Sequence, residues 1–247
     1  METAAKNKLI VALDVEATDE ARRLVSMLRG IVGMFKIGSQ LFTTAGPDLV
    51  REIAKSGERV FLDLKFHDIP NTVAAAGIEA TRLGVAIFNV HAAGGSEMMR
   101  RTADVVAKAA ESEGQARPLV IAVTVLTSSN QTTLAELGWS VNPEELVKRL
   151  AVLAAGSGMD GVVASPREVG VIRAAVTKPG FIVVTPGVRP AGSAANDQIR
   201  VTTPRAAVMA GADYLVVGRP ILEAADPARA AQQIIDEMEM DTRAVTP

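Results

Sequence analysis

The stretch VFLDLKFHDIPNT, residues 60–72, opens as a β-branched, apolar run and closes in dense charge, with Asp63, Lys65 and Asp68 in the pattern D-x-K-x-x-D. Strands seldom carry so much charge except at a sheet rim or in a site. Side chains alternate along an extended strand with a period of two, which puts Asp63 and Lys65 on one side. Similar runs lie to either side: LIVALDV (9–15), MFKIG (34–38), VAIFNVHA (85–92), LVIAVTVLT (119–127), GVVAS (161–165), FIVVTPGV (181–188) and YLVVGRP (214–220). Between them are Ala-rich, charged segments of helical period. In DEARRLVSMLRG, Ala21, Leu24, Val25 and Leu28 share a helix face, and Gly30 is a natural stop. Eight such strands alternating with helices, without a linker or a break in composition, predict parallel βαβ units. The expected fold class is α/β: one domain over residues 1–247, a (β/α)8 TIM barrel, with an open doubly wound sheet as the competing architecture.

The composition agrees. The chain is 48% hydrophobic but only 3% aromatic, so its core is aliphatic, as suits parallel strands covered on both faces. Lys+Arg number 26 against 28 Asp+Glu, a net charge of −2, and no basic stripe stands out, which argues against a nucleic-acid partner. Cysteine is absent, which removes disulfides, thiolate nucleophiles and cysteine-ligated metals. The opening METAAKNK has no apolar signal core, and no apolar run approaches membrane-spanning length. A soluble, cytoplasmic protein is expected.

A barrel places its chemistry at the C-terminal ends of its strands. The ends of the eight runs supply Asp14, Lys36, Asp63 with Lys65, His91, Thr127, Ser165, Arg189 and Arg219. The last two runs end in TPGVRP and VVGRP, where backbone N–H groups near Gly218 and the Arg219 guanidinium suit a phosphate. Residues 189–204, RPAGSAANDQIRVTTP, form a long polar segment expected to act as a lid, in which Arg189 and Gln198 are best suited to grip a phosphate. His67 and His91 are the only histidines. Without further ligands at metal-binding spacing they read as structural, and no metal site is expected. Trp139 reads as a packing anchor ahead of a helix starting at Pro143.

DLKFHDIPNT closely resembles the signature of the orotidine 5'-monophosphate (OMP) decarboxylase family, in its bacterial form. ALDV, FKIG, VTVLTS, TPGVRP and VVGRP match in the same order, so the resemblance spans essentially the whole chain. It implies a cofactor-free decarboxylase converting OMP to UMP and CO2. In that resemblance Lys65 matches the lysine that protonates C6 of the pyrimidine, and Lys36, Asp63 and Asp68 match the rest of the catalytic array. Asp68 and its neighbour Ile69 match residues that reach into the partner's site of a homodimer, and Thr72 matches a ribose contact from the partner chain. Asp14 and Lys36 match ribose-binding residues, Thr127 the reader of the pyrimidine edge, and Arg189, Gln198, Gly218 and Arg219 the phosphate grip.

Two alternatives share parts of this pattern. Sugar-phosphate barrels with D-x-K-x-x-D use Mg2+ and need an additional metal-binding acid at the end of strand one or two. Glu16 is the nearby candidate, and KIG on strand two offers none. A non-catalytic regulator binding ligand or RNA would lose a member of the array and carry a basic face. Here the array is complete and the chain slightly acidic.

Overall fold

The computed structural model describes residues 5–190 and 202–239. Gln198 and most of the expected lid, residues 191–201, lie outside the described residues. Eight strands close into a parallel barrel in sequence order: β1 (Leu9–Ala12), β2 (Met34–Gly38), β3 (Val60–Phe66), β4 (Ile87–His91), β5 (Leu119–Val123), β6 (Gly161–Val163), β7 (Ile182–Pro186) and β8 (Tyr214–Val217), with β8 paired back onto β1. Each strand falls within one of the apolar runs. Most strands are shorter than their runs, because the chain leaves the ladder and turns at the barrel rim, carrying the run's last polar residue into a loop.

Helices follow the strands: α1 (Thr18–Leu28), α2 (Ser39–Lys55), α3 (Pro70–Arg82), α4 (Gly95–Ser112), α5 (Gln131–Glu136), α6 (Pro143–Gly156), α7 (Val169–Ala175), α8 (Pro204–Met209), α9 (Arg219–Leu222) and α10 (Pro227–Glu239). Helix α1 buries Ala21, Leu24, Val25 and Leu28, the face its periodicity predicts, and Gly30 follows in the left-handed region with φ 74°. Helix α2 is two helices joined at a kink, where Gly46 takes φ 67° and Pro47 starts the second piece with its fixed φ and missing N–H. Helices α3 and α4 approach so closely that a Cβ at Gly77 would stand 3.0 Å from Val106 and 3.2 Å from Phe88.

The core has two layers. Alternate strand residues such as Ile10, Met34, Phe61, Ile87, Ile121, Val184 and Val216 fill the barrel interior. Their neighbours Leu9, Val11, Phe35, Leu62, Phe88, Val120 and Val183 face the helices in a larger aliphatic cluster. Trp139 packs against that outer layer, as expected.

The two ends of the barrel differ. At the N-terminal end, Asp160 accepts the Val120 N–H at 2.7 Å and pairs with Arg117. Asp213 accepts the Val183 N–H at 2.7 Å and a very short contact from Arg173, whose guanidinium also reaches the Gly211 and Phe181 carbonyls. These carboxylates tie off strand starts. At the opposite end Asp14, Lys36, Asp63 and Lys65 instead face a cavity.

Candidate active site

The barrel floor determines which side chains reach the cavity. Ile10 and Ala12 of β1, Met34 of β2, Phe61 of β3 and Ile87 of β4 point inward. Two residues further along, the same parity lifts Asp14, Lys36, Asp63 and Asn89 to the top of the barrel. Asp14, Lys36, Asp63 and Lys65 line a cavity of about 590 Å3 together with Thr127, Arg189, Gly218 and Arg219. Among the described residues, every expected site residue from β1, β2, β5, β7 and β8 therefore opens into one space, and β3 adds Asp63 and Lys65.

The four charges form an alternating row. Lys36 Nζ lies 3.0 Å from Asp14 Oδ1 and 3.4 Å from Asp63 Oδ2, and Lys65 Nζ donates to Asp63 Oδ1 at 2.7 Å. Lys36 and Asp63 are buried, with 7% and 9% of their surface exposed, which would be costly without opposite charges on both sides. Lys65 is half-buried and ends the row, its ammonium turned to the cavity.

The Asp63–Lys65 contact expected from strand alternation is present, but the strand that makes it is irregular. Along β3 the pairing with β4 advances four residues, from Leu62 to Phe66, while β4 advances only two, from Phe88 to Val90. The surplus is absorbed at Lys65, the one non-glycine at positive φ (54°) among the described residues. Such a conformation costs an L-residue on the order of 1–2 kcal/mol. Functional sites are where strain of this kind is concentrated. The Lys65 N–H, displaced from the ladder, donates to Asn89 Oδ1 at 2.8 Å.

Several expected residues do not enter this cavity. Asp68, Ile69 and Thr72 are exposed on the loop and first turn after β3, with Ile69 65% exposed, and Asp68 accepts the Ile69 N–H at 2.6 Å. The row in this chain is thus Asp14–Lys36–Asp63–Lys65, without Asp68. Ser165 was expected among the polar strand ends, but it is fully buried and caps a short 3-10 turn, in a capping box with Glu168. Its hydroxyl is used by the backbone, so it is structural. His91 ends β4 outside the cavity lining, its ring 5.3 Å from that of His67. Burial is the chief cause that holds the His91 pKa below its ordinary value, with His67 and then Lys65 adding to it and Asp63 opposing.

On the phosphate-suited side, Arg189 is buried and its N–H donates to the Thr202 carbonyl at 3.1 Å, beside a bridge between Val188 and Thr202. The two ends of the expected lid therefore meet at the cavity mouth. Gly218 backs onto Ala12 and Asp14, where an added Cβ would lie 3.5 Å and 3.7 Å from them. Sequence reasoning missed the apolar part of the lining, Val123, Val125 and Leu126, as well as Glu223. It also missed Asn89, although an asparagine at inward parity within the apolar run VAIFNVHA was a readable signal.

A closed parallel barrel with an alternating acid–ammonium row at its C-terminal rim, and arginines across the same cavity, defines a (β/α)8 barrel of the enzyme class. Residues 7–234 match the model of the orotidine 5'-phosphate decarboxylase / HUMPS family, and the chain belongs to that family. It is 57% identical over 234 residues to the orotidine 5'-phosphate decarboxylase of Syntrophotalea carbinolica, covering 95% of this chain and 96% of that one. It is 56% identical to the same enzyme of Geobacter sulfurreducens, covering 95% and 97%. Among solved structures, the orotidine 5'-phosphate decarboxylase of Lactobacillus acidophilus superposes with a TM-score of 0.82 at 37% identity, covering 94% of this chain and 98% of that one.

Proposed function

We propose that this protein decarboxylates orotidine 5'-phosphate to UMP and CO2 in pyrimidine biosynthesis, without metal or cofactor, and that Lys65 delivers the proton to C6. The observation that carries the proposal is the row Asp14–Lys36–Asp63–Lys65, ending in an ammonium at the cavity. When the C6–carboxylate bond breaks, its electron pair stays on a ring carbon with no π system placed to delocalise it. A fixed cation at that carbon stabilises the developing charge more than it stabilises the bound substrate. The proton then moves from Lys65 Nζ to C6, and the neutral amine is reprotonated from solvent in a later step. Asp63, held by two ammonium groups and an amide, keeps Lys65 aimed and its charge in place.

The remaining assignments are those that the family resemblance implies. Asp14 and Lys36 take the ribose hydroxyls, Thr127 reads the pyrimidine edge, and Arg189, Gln198, Gly218 and Arg219 hold the phosphate, with residues 189–204 closing over it. Phosphate binding far from C6 then supplies energy for closing the site around the reacting carbon. Asp68, Ile69 and Thr72 serve the neighbouring site of a homodimer. Their exposure on one loop and helix start, away from their own chain's cavity, supports this. The protein works as a single-domain barrel in the cytoplasm, with no nucleic-acid or membrane partner. None of the helices among the described residues is long and apolar enough to cross a membrane.

The test is OMP consumption followed by absorbance in the presence of EDTA. Turnover is expected to be undiminished by the chelator, and Lys65→Ala is expected to lower kcat by about 10²–10⁴-fold, the range for removing a positioned proton donor. A requirement for Mg2+, or full activity of Lys65→Ala, overturns the proposal.

A further inference from the structure

Asn89 lies in the middle of β4, fully buried, on the inward parity that carries Ile87 below it. It has no exposed surface and does not line the cavity, so its bonds to the site run through its neighbours. Both ends of its amide nevertheless serve the site. Its oxygen accepts the Lys65 backbone N–H at 2.8 Å, and its nitrogen donates to Asp63 Oδ1 at 2.7 Å. The partners fix the orientation of the amide: an N–H can only donate and a carboxylate can only accept.

The two bonds fall at the irregular point of the barrel. Between Leu62 and Phe66, β3 outruns its pairing with β4, and Lys65 turns into the left-handed region at φ 54°. A part-buried N–H that has lost its ladder partner needs another acceptor, and Asn89 supplies one from the facing strand. The same side chain pins Asp63, whose Oδ1 is shared with Lys65 Nζ and whose Oδ2 faces Lys36. One amide thus joins the backbone of the lysine to the carboxylate that aims its ammonium.

We propose that Asn89 is a positioning residue: it holds the left-handed turn at Lys65 and the rotation of Asp63, and so places the Lys65 ammonium relative to the reacting carbon. This rests on the decarboxylase reading given above. Removing the amide leaves the phosphate contacts in place and acts directly on the proton donor and its carboxylate; it reaches the ribose side only through the 3.4 Å contact of Asp63 with Lys36, which Asp14 also holds. The loss should therefore appear in kcat rather than in KM.

Two variants test it, Asn89→Ala and Asn89→Asp, assayed with OMP beside the parent. Asn89→Ala removes both bonds and is expected to lower kcat about a hundredfold, the scale of a misplaced reacting group, with KM changed far less. Asn89→Asp keeps the shape and an acceptor for the Lys65 N–H. When ionised, the introduced carboxyl repels Asp63; when protonated, it restores a donor to it. Burial and the directly facing Asp63 carboxylate push the pKa of the introduced group up, against the Lys65 and Lys36 ammonium groups that lie beyond Asp63. The kcat of Asn89→Asp is therefore expected to recover as the pH is lowered through its protonation, a limb that the parent profile lacks. A residue that merely fills space would give variants of lower melting temperature with parental kcat and an unchanged pH profile. Parental kcat in Asn89→Ala, or a parental pH profile in Asn89→Asp, overturns the proposal. If Asn89→Ala does not fold, the profile of the near-isosteric Asn89→Asp decides alone. A parent that consumes no OMP removes the decarboxylase reading and this proposal with it, an outcome distinct from an active parent with an indifferent Asn89.

Discussion

Single residues in this barrel owe their behaviour to what lies on the adjacent strand. His91 ends β4, half-buried against His67, with the Lys65 ammonium adding to the field that disfavours a second positive charge. Its pKa is therefore held below the ordinary value of 6.5. The native state keeps the imidazole neutral, whereas the unfolded chain takes up the proton as pH falls past that value, so unfolding gains proton binding and stability declines on the acid side. The contribution is complete above about pH 6.5 and is lost as the pH drops toward the native pKa. His91→Gln removes this term. The parent is expected to lose stability relative to His91→Gln as the pH is lowered from neutrality, measured as a converging or crossing pair of urea midpoints. A constant gap between the two would show that His91 titrates no differently in the folded protein. The irregular backbone at Lys65 was not legible in the sequence, because positive φ at a lysine is imposed by the register of a neighbouring strand rather than by any local preference. What was legible was the charge pattern: D-x-K-x-x-D at the end of an apolar run implied a site before any geometry was known.

At the scale of elements, the opposite ends of the strands do different work. All eight strands were legible because parallel strands covered on both faces must be apolar, and their runs stand apart from amphipathic helices. Their ends were less so. Ser165 carries the same kind of signal as Thr127, a hydroxyl just past a strand, yet it caps a turn while Thr127 lines the cavity. The difference is local: Pro166, Arg167 and Glu168 follow Ser165 at capping-box spacing and occupy its hydroxyl, a signal that the sequence carried and that no such spacing gives Thr127. At the N-terminal end the acids serve structure. Asp213 satisfies the Val183 N–H and meets Arg173. Asp213→Ala is expected to cost about 1–3 kcal/mol through the unpaired N–H, measured by urea unfolding. Its kcat with OMP should remain parental, since the substitution lies at the end of the barrel away from the cavity. Equal losses of stability and kcat would contradict this division.

At the scale of the whole molecule, the row of charges in one chain lacks Asp68, which sits exposed with Ile69 and Thr72 on the surface after β3. If two chains complete each other's sites, inactive chains should rescue one another. Mixing Lys65→Ala with Asp68→Ala under conditions that allow subunit exchange is expected to restore about a quarter of parental activity: half of the dimers are mixed, and each has one intact site. Continued inactivity of a mixture shown by sedimentation to contain mixed dimers would mean that Asp68 serves its own chain. The closure of the barrel carries a further consequence. Asp14 stands just past β1, and Gly218 and Arg219 just past β8, and these first and last strands are hydrogen-bonded neighbours. One wall of the cavity is therefore closed only when the first and last strands meet. Contacts of such long sequence separation are slow to form, and during synthesis they must wait until the final strand has left the ribosome. A chain cut short before β8 would leave β1 as an open edge and the Gly218–Arg219 wall of the cavity unbuilt, so the first turnover can occur only once the last strand is in place.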